Sequence, residues 1–136
     1  MNARMIRAVA LWAPVFGFMA LVWFWSDALS LETPEFLSDK ILHFVAYGLF
    51  GLCNLRAFHG GFRRPVAWAT VAALGLTGGF GALDEWRQDG VSFRDASWWD
   101  WVADVAGGGV AWLVLLFIPF RRDKTLGVRE CGKSGR

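Results

Sequence analysis

The stretch LSDKILHFVAYGLFGL, residues Leu37–Leu52, opens with Asp39, Lys40 and His43 and then turns apolar; from Ile41 to Leu55 only His43 and Asn54 are strongly polar. A helix of a soluble protein carries polar residues along its whole wet face. Here they gather at one end, the pattern of a helix that enters a membrane from its surface.

The rest of the chain repeats the pattern. Hydrophobic residues make up 55% of the 136 and the mean hydropathy is +0.37, more apolar than an ordinary soluble domain. Ala8–Trp25 and Val66–Leu83 are each 18 residues without a charge, and such a helix is about 27 Å long, close to the hydrocarbon thickness of a bilayer. Ile41–Leu55 and Val105–Phe120 reach spanning length if their helices begin near Asp39 and Asp100. The prediction is all-α: one domain over residues 1–136, an integral membrane bundle of four transmembrane helices at about 8–26, 39–57, 65–84 and 100–120, with a basic tail at 121–136. The first span also has the layout of a signal peptide, but its length and Trp23 and Trp25 at its end favour an uncleaved anchor.

Charge placement orients the bundle. Arg4 and Arg7, then Arg56, Arg63 and Arg64, then Arg121, Arg122, Lys124, Arg129, Lys133 and Arg136 fall on one side, leaving Lys40, Arg87 and Arg94 on the other with ten of the 12 acids. The positive-inside rule puts both termini of this multi-pass bundle in the cytoplasm. Directly after a span, the basic tail reads as a topology signal that touches anionic lipid, not as a nucleic-acid site. Cys53 and Cys131 lie on the cytoplasmic side and have no metal-binding spacing.

Trp23, Trp25, Trp86, Trp98, Trp99 and Trp101 fall at the outer ends of spans, where indoles anchor at the interface. Gly75 and Gly79 form a GxxxG pair in span three, and Gly107, Gly108 and Gly109 lie in span four, so these two spans are expected to touch.

The polar residues of three spans meet at one depth, just below the outer surface. Asp39, His43 and Tyr47 are spaced i, i+4, i+8 along one face of span two; Asp100 and Asp104 repeat that spacing on span four; Asp84, Glu85 and Gln88 end span three. Asp39 gains from the helix N-terminus, Lys40 has a stem long enough to snorkel, and Asp100 stands three residues after Ser97 in a capping-box arrangement. Asp84 and Glu85 sit at a helix C-terminus, where the dipole disfavours acids, so they need partners, with Arg87 and Arg94 the candidates. For His43 a structural role and a working role both stand open. An ionisable group inside a membrane is costly and by default marks a candidate site.

DKILHFVAYGLFGL followed by ALDEWRQDGVSFRDASWWDWVADVAGGGVAW resembles the VanZ-like family, small bacterial membrane proteins named for a teicoplanin-resistance accessory protein. The family pattern of D-K-x-x-H-F-x-x-Y, G-x-x-x-E-x-x-Q, an Arg-containing loop and D-x-x-x-[ND]-x-x-G corresponds to Asp39, Lys40, His43, Phe44 and Tyr47, then Gly81, Glu85 and Gln88, then Arg94, then Asp100, Asp104 and Gly107. Asp104 stands where the family more often has Asn, and QDGVSFRD lacks a proline–glycine before its Arg. The resemblance implies a multi-pass protein of the bacterial cytoplasmic (inner) membrane and envelope biology, with glycopeptide (teicoplanin) resistance as the founding phenotype.

A recognition protein is the favoured function. Its binding residues are Asp39, Lys40, His43, Tyr47, Glu85, Gln88, Arg94, Asp100 and Asp104, set around the head of a lipid-linked envelope precursor, a phospholipid or a glycopeptide, with no metal ligand and no cofactor assigned. An outer-leaflet enzyme is the alternative, with His43 as base oriented by Asp39 and Glu85 as acid; its metal-assisted form draws on His43 with Asp39, Glu85, Asp100 or Asp104. A third alternative is an assembly role in which the polar groups only hold helices together.

Overall fold

The computed structural model describes residues 2–30, 36–89 and 97–118, with the backbone alone at 25–30 and 36–39. Four helices account for nearly all of it: α1 (Ala3–Ser30), α2 (Phe36–Phe58), α3 (Ala67–Asp89) and α4 (Trp98–Phe117). No strand occurs among the described residues. Three segments, Ala3–Phe24 of α1, Lys40–Phe58 of α2 and Trp98–Phe117 of α4, are long and apolar enough to cross a membrane. Helix α3 is of comparable length but is not among them. Its glycines, Thr70 and Thr77 and the polar turn at Asp84 and Glu85 dilute its apolar content.

Helix α2 ends in a Schellman motif: the Gly61 N–H donates to the Arg56 carbonyl at 2.8 Å and the Gly60 N–H to Ala57 at 3.1 Å. Gly60 takes the required left-handed backbone, with φ +66°. The chain then reverses into α3, so α3 runs antiparallel to α2. Helix α4 runs parallel to α2, since Lys40 meets Asp100 and His43 meets Asp104.

The closest backbone approach is between α2 and α4. A Cβ on Gly107 would lie 2.2 Å from the Phe44 carbonyl oxygen, and one on Gly51 would lie 2.9 Å from the Gly108 Cα. Small residues thus bring helices together, and α3 and α4 touch as expected, but the tightest approach is α2 to α4 and the GxxxG pair takes no part in either contact. Gly75 and Gly79 face open space. Contact between α3 and α4 runs instead through Gly78 against Val105, Gly81 against Asp104 and Gly108 against Thr77.

Helix α1 lies antiparallel on α2, where Val15 joins Tyr47, Phe50, Ala57 and Phe80 in one apolar cluster and Phe18 stacks on Phe50. Pro14 lies inside α1 and has no N–H for the Ala10 carbonyl four residues back. Arg56 of α2 supplies the missing donor, its Nη1 bonding that carbonyl at 3.1 Å. A helix defect is thereby turned into an interhelical contact.

Polarity is inverted relative to a water-soluble bundle. Asn54, Thr77, Asp84, Gln88 and Asp104 are all at most 1% exposed, while Phe24 and Phe117 are 79% and 86% exposed. Deeper in the bundle, Asn54 Nδ2 donates to Thr77 Oγ1 at 2.9 Å. At the opposite end from the polar cluster, His59 Nδ1–H donates to the Leu55 carbonyl at 2.7 Å, which leaves Nε2 to accept from Thr70 Oγ1 at 3.3 Å.

Candidate functional site

The site sits where the first turns of α2 and α4 meet the last turns of α3. Parallel α2 and α4 present their N-terminal polar ladders side by side, and antiparallel α3 brings its acidic end to the same level. His43, Tyr47, Glu85, Gln88, Asp100 and Asp104 are all buried there, in an otherwise apolar bundle.

At the centre, His43 Nδ1 lies 3.0 Å from Asp104 Oδ1 and 4.0 Å from Glu85 Oε1. Each of the three helices contributes one member. Tyr47, one turn along α2, lies nearly parallel to the His43 ring, 4° between planes and 6.2 Å between centroids. Asp104 is fully buried. Its Oδ2 atom, and Oε1 of Glu85, are buried with no hydrogen-bond partner among the described residues.

Glu85 and Asp84 find separate partners because successive residues on a helix point about 100° apart. Glu85 Oε2 accepts the Ser97 backbone N–H at 3.1 Å, across the gap between α3 and α4. Asp84 is held by Arg87 at 3.1 Å, by Gln88 at 2.9 Å and by the Tyr47 hydroxyl at 3.5 Å. Of the two arginines proposed as partners, Arg87 pairs with Asp84 and stacks over the Trp23 ring at 5.4 Å; Arg94 lies outside the described residues.

Two sequence-based expectations require correction. Ser97 is the N-cap of α4, but its side chain makes no capping bond. The backbone N–H that Asp100 would accept in a capping box is taken by Glu85 of another helix, which frees Asp100 to pair with Lys40. Nor does Lys40 snorkel to a surface: its ammonium is held between Asp100 and Ser97 Oγ, the latter at 3.2 Å. The proposed orienting partner of His43, Asp39, has its backbone in α2 but its side chain outside the described residues. Asp104 occupies that role at Nδ1. Among the interfacial tryptophans, Trp86, Trp98 and Trp99 are exposed as expected, whereas Trp101 turns inward and donates its indole N–H to the Gly78 carbonyl at 3.0 Å.

Sequence reasoning gave Asp84 a partner without a place in the site, and passed over Ser97 as a ligand of Glu85. A signal for Asp84 was present, since it lies four residues before Gln88 and three before Arg87, both within reach on one helix face. Comparison with family models, with curated proteins and with solved structures yields no match.

Chemically, the arrangement offers a buried imidazole between two carboxylates, flanked by two satisfied ion pairs. It is suited to holding a proton, a cation or the hydrogen-bonding head of a ligand at one end of an apolar bundle.

Proposed function

We propose that the chain is a VanZ-like, multi-pass protein of the bacterial cytoplasmic membrane, with both termini inside and α3 serving as the fourth span. The polar end of the bundle faces outward and recognises the polar head of a lipid-linked envelope precursor or a related envelope ligand. The single observation that carries this reading is the inverted polarity. Large apolar side chains such as Phe16, Val71 and Phe117 point outward while Asp84, Gln88 and Asp104 are enclosed, an arrangement stable in lipid and unstable in water. Helix α3 needs less apolarity of its own because its polar residues Thr77, Asp84 and Gln88 are covered by α2 and α4.

Gathering His43, Lys40, Glu85, Gln88, Asp100 and Asp104 at one end costs folding free energy in such a setting, and recognition of a polar head explains why they are kept. The resemblance to the VanZ-like family directs the choice of ligand toward the envelope and toward glycopeptide resistance. The enzyme alternative draws on one specific feature, the contact between the His43 ring and Asp104, which resembles a base and its orienting acid.

Two measurements test the reading together. C-terminal fusions report the side of the tail: a fluorescent cytoplasmic reporter should be active and a periplasmic phosphatase reporter inactive. Native mass spectrometry of the detergent-purified protein with a lipid-linked disaccharide precursor and with phosphatidylglycerol should show one retained ligand, lost in Lys40→Ala. Release of a cleaved product would support the enzyme reading instead. Absence of any ligand, with polar-cluster variants affecting stability alone, would leave the assembly role.

A further inference from the structure

We infer that His43, Glu85 and Asp104 form a binding site for one divalent metal ion of the zinc–manganese class. The ligand atoms they offer, one from each of α2, α3 and α4, all lie within 4.8 Å of one another and are buried. Three observations point to a cation. The first is charge. Asp84 pairs with Arg87 and Asp100 with Lys40, whereas the ion-pair neighbour that Glu85 and Asp104 have among the described residues is the His43 imidazole that they share. With a neutral imidazole, a divalent ion brings this group to zero net charge, which a low-dielectric interior strongly favours over an uncompensated pair of carboxylates.

The second is the disposition of lone pairs. Glu85 Oε1 and Asp104 Oδ2 are buried without a hydrogen-bond partner among the described residues, and Asp104 is 0% exposed. Glu85 Oε2 is engaged by the Ser97 N–H, a bond that orients the carboxylate from behind and leaves Oε1 to spare. Asp104 Oδ1 faces His43 Nδ1 directly, the contact that the ion would take over.

The third is spacing. Ligands about 2.05 Å from a tetrahedral ion stand about 3.3 Å apart. The distances from His43 Nδ1, 3.0 Å to Asp104 Oδ1 and 4.0 Å to Glu85 Oε1, bracket that value. Gly81 makes the fit feasible on the far side, because a Cβ there would lie 2.7 Å from Asp104 Oδ2 and would crowd the carboxylate. One nitrogen and two carboxylate oxygens suit Zn²⁺ or Mn²⁺ better than Mg²⁺, which prefers oxygen donors and retains most of its water. The neutral imidazole holds its one proton on Nε2 when the ion is bound, which leaves the Nδ1 lone pair as the ligand.

The test requires no lipid ligand and is therefore independent of the headgroup reading. Untagged full-length protein in detergent is stripped with chelator, then titrated with Zn²⁺, Mn²⁺ and Mg²⁺, and the metal retained after desalting is measured by elemental mass spectrometry. Wild type and the control His59→Gln, whose imidazole lies at the opposite end of the bundle, should each retain close to one equivalent of Zn²⁺ or Mn²⁺, and Glu85→Gln and Asp104→Asn should bind at least tenfold more weakly. Pulsed electron paramagnetic resonance of the Mn²⁺-loaded protein supplies a second readout, the ligand nitrogen itself, that does not depend on variants of the acidic ligands folding. An imidazole nitrogen coupled to the ion, still present in His59→Gln, supports the site. No retained ion in monodisperse wild type, no imidazole coupling, or equal binding by all four proteins overturns it.

Discussion

His43 of α2 and Asp104 of α4 face each other across 3.0 Å in the interior of the bundle, although 61 residues separate them in the chain. Parallel packing of the two helices puts the second polar residue of each ladder at the same height, and the glycines at Gly48, Gly51, Gly107 and Gly108 set the backbones close enough for the side chains to meet. Removing one member strands the other. His43→Ala should cost about 3 kcal/mol, because it leaves a buried carboxylate with its main partner gone. Asp104→Asn should cost no more than about 1 kcal/mol, since the amide oxygen still accepts from the imidazole and no charge is buried. Reversible denaturation in mixed micelles would measure both, and equal losses would contradict this account.

Glycine substitutions should separate along structural lines that the GxxxG pattern does not reveal. Gly107→Ala drives a Cβ to 2.2 Å from the Phe44 carbonyl, a backbone atom with no freedom to move. It should destabilise the bundle by about 3 kcal/mol or prevent assembly. Gly79→Ala meets nothing within 4 Å and should change stability by less than about 1 kcal/mol. Thermal melts monitored by size-exclusion retention would rank the two, and a reversed order would reject the α2–α4 contact.

Arg56 and Pro14 should be energetically coupled. Arg56→Ala removes the donor to the Ala10 carbonyl and should cost about 1 kcal/mol in the wild-type background. With Pro14→Ala, the restored N–H at position 14 satisfies that carbonyl within the helix, and the same Arg56 change should cost less. A double-mutant cycle reads the difference directly, and a coupling energy of zero would separate the two residues.

Tyr47→Phe should be mild. Its hydroxyl is 3.5 Å from Asp84 Oδ2, at the outer limit of a hydrogen bond, and the same oxygen already receives Gln88 at 2.9 Å. The expected cost is below about 1 kcal/mol. Gln88→Leu should cost more, because it takes away the shorter bond to a buried carboxylate. Parallel urea or thermal titrations of the two variants would check the order.

Much of this protein is legible in one dimension. The 18-residue uncharged run in the first helix, the polar start of α2 and the i, i+4 spacing of Asp100 and Asp104 are linear patterns, and a helix converts linear spacing directly into height and face. They determined the number of helices and the end at which His43, Tyr47, Glu85, Gln88, Asp100 and Asp104 gather. Apolar content along the chain marked all four helices as spans, and α1, α2 and α4 are long and apolar enough to cross a membrane.

Only the tertiary structure decided which partners meet. That depends on how far each helix is rotated about its axis and slid along its neighbour, quantities that a periodic sequence leaves open. Glu85 reaches the Ser97 N–H and displaces Asp100 from the expected cap because α3 and α4 share that register. Lys40 then turns to Asp100, and Gly81 and Gly107, not Gly75 and Gly79, become the close contacts. Spacing within a helix is a local property of the backbone, whereas pairing between helices is settled by the packing of the whole bundle.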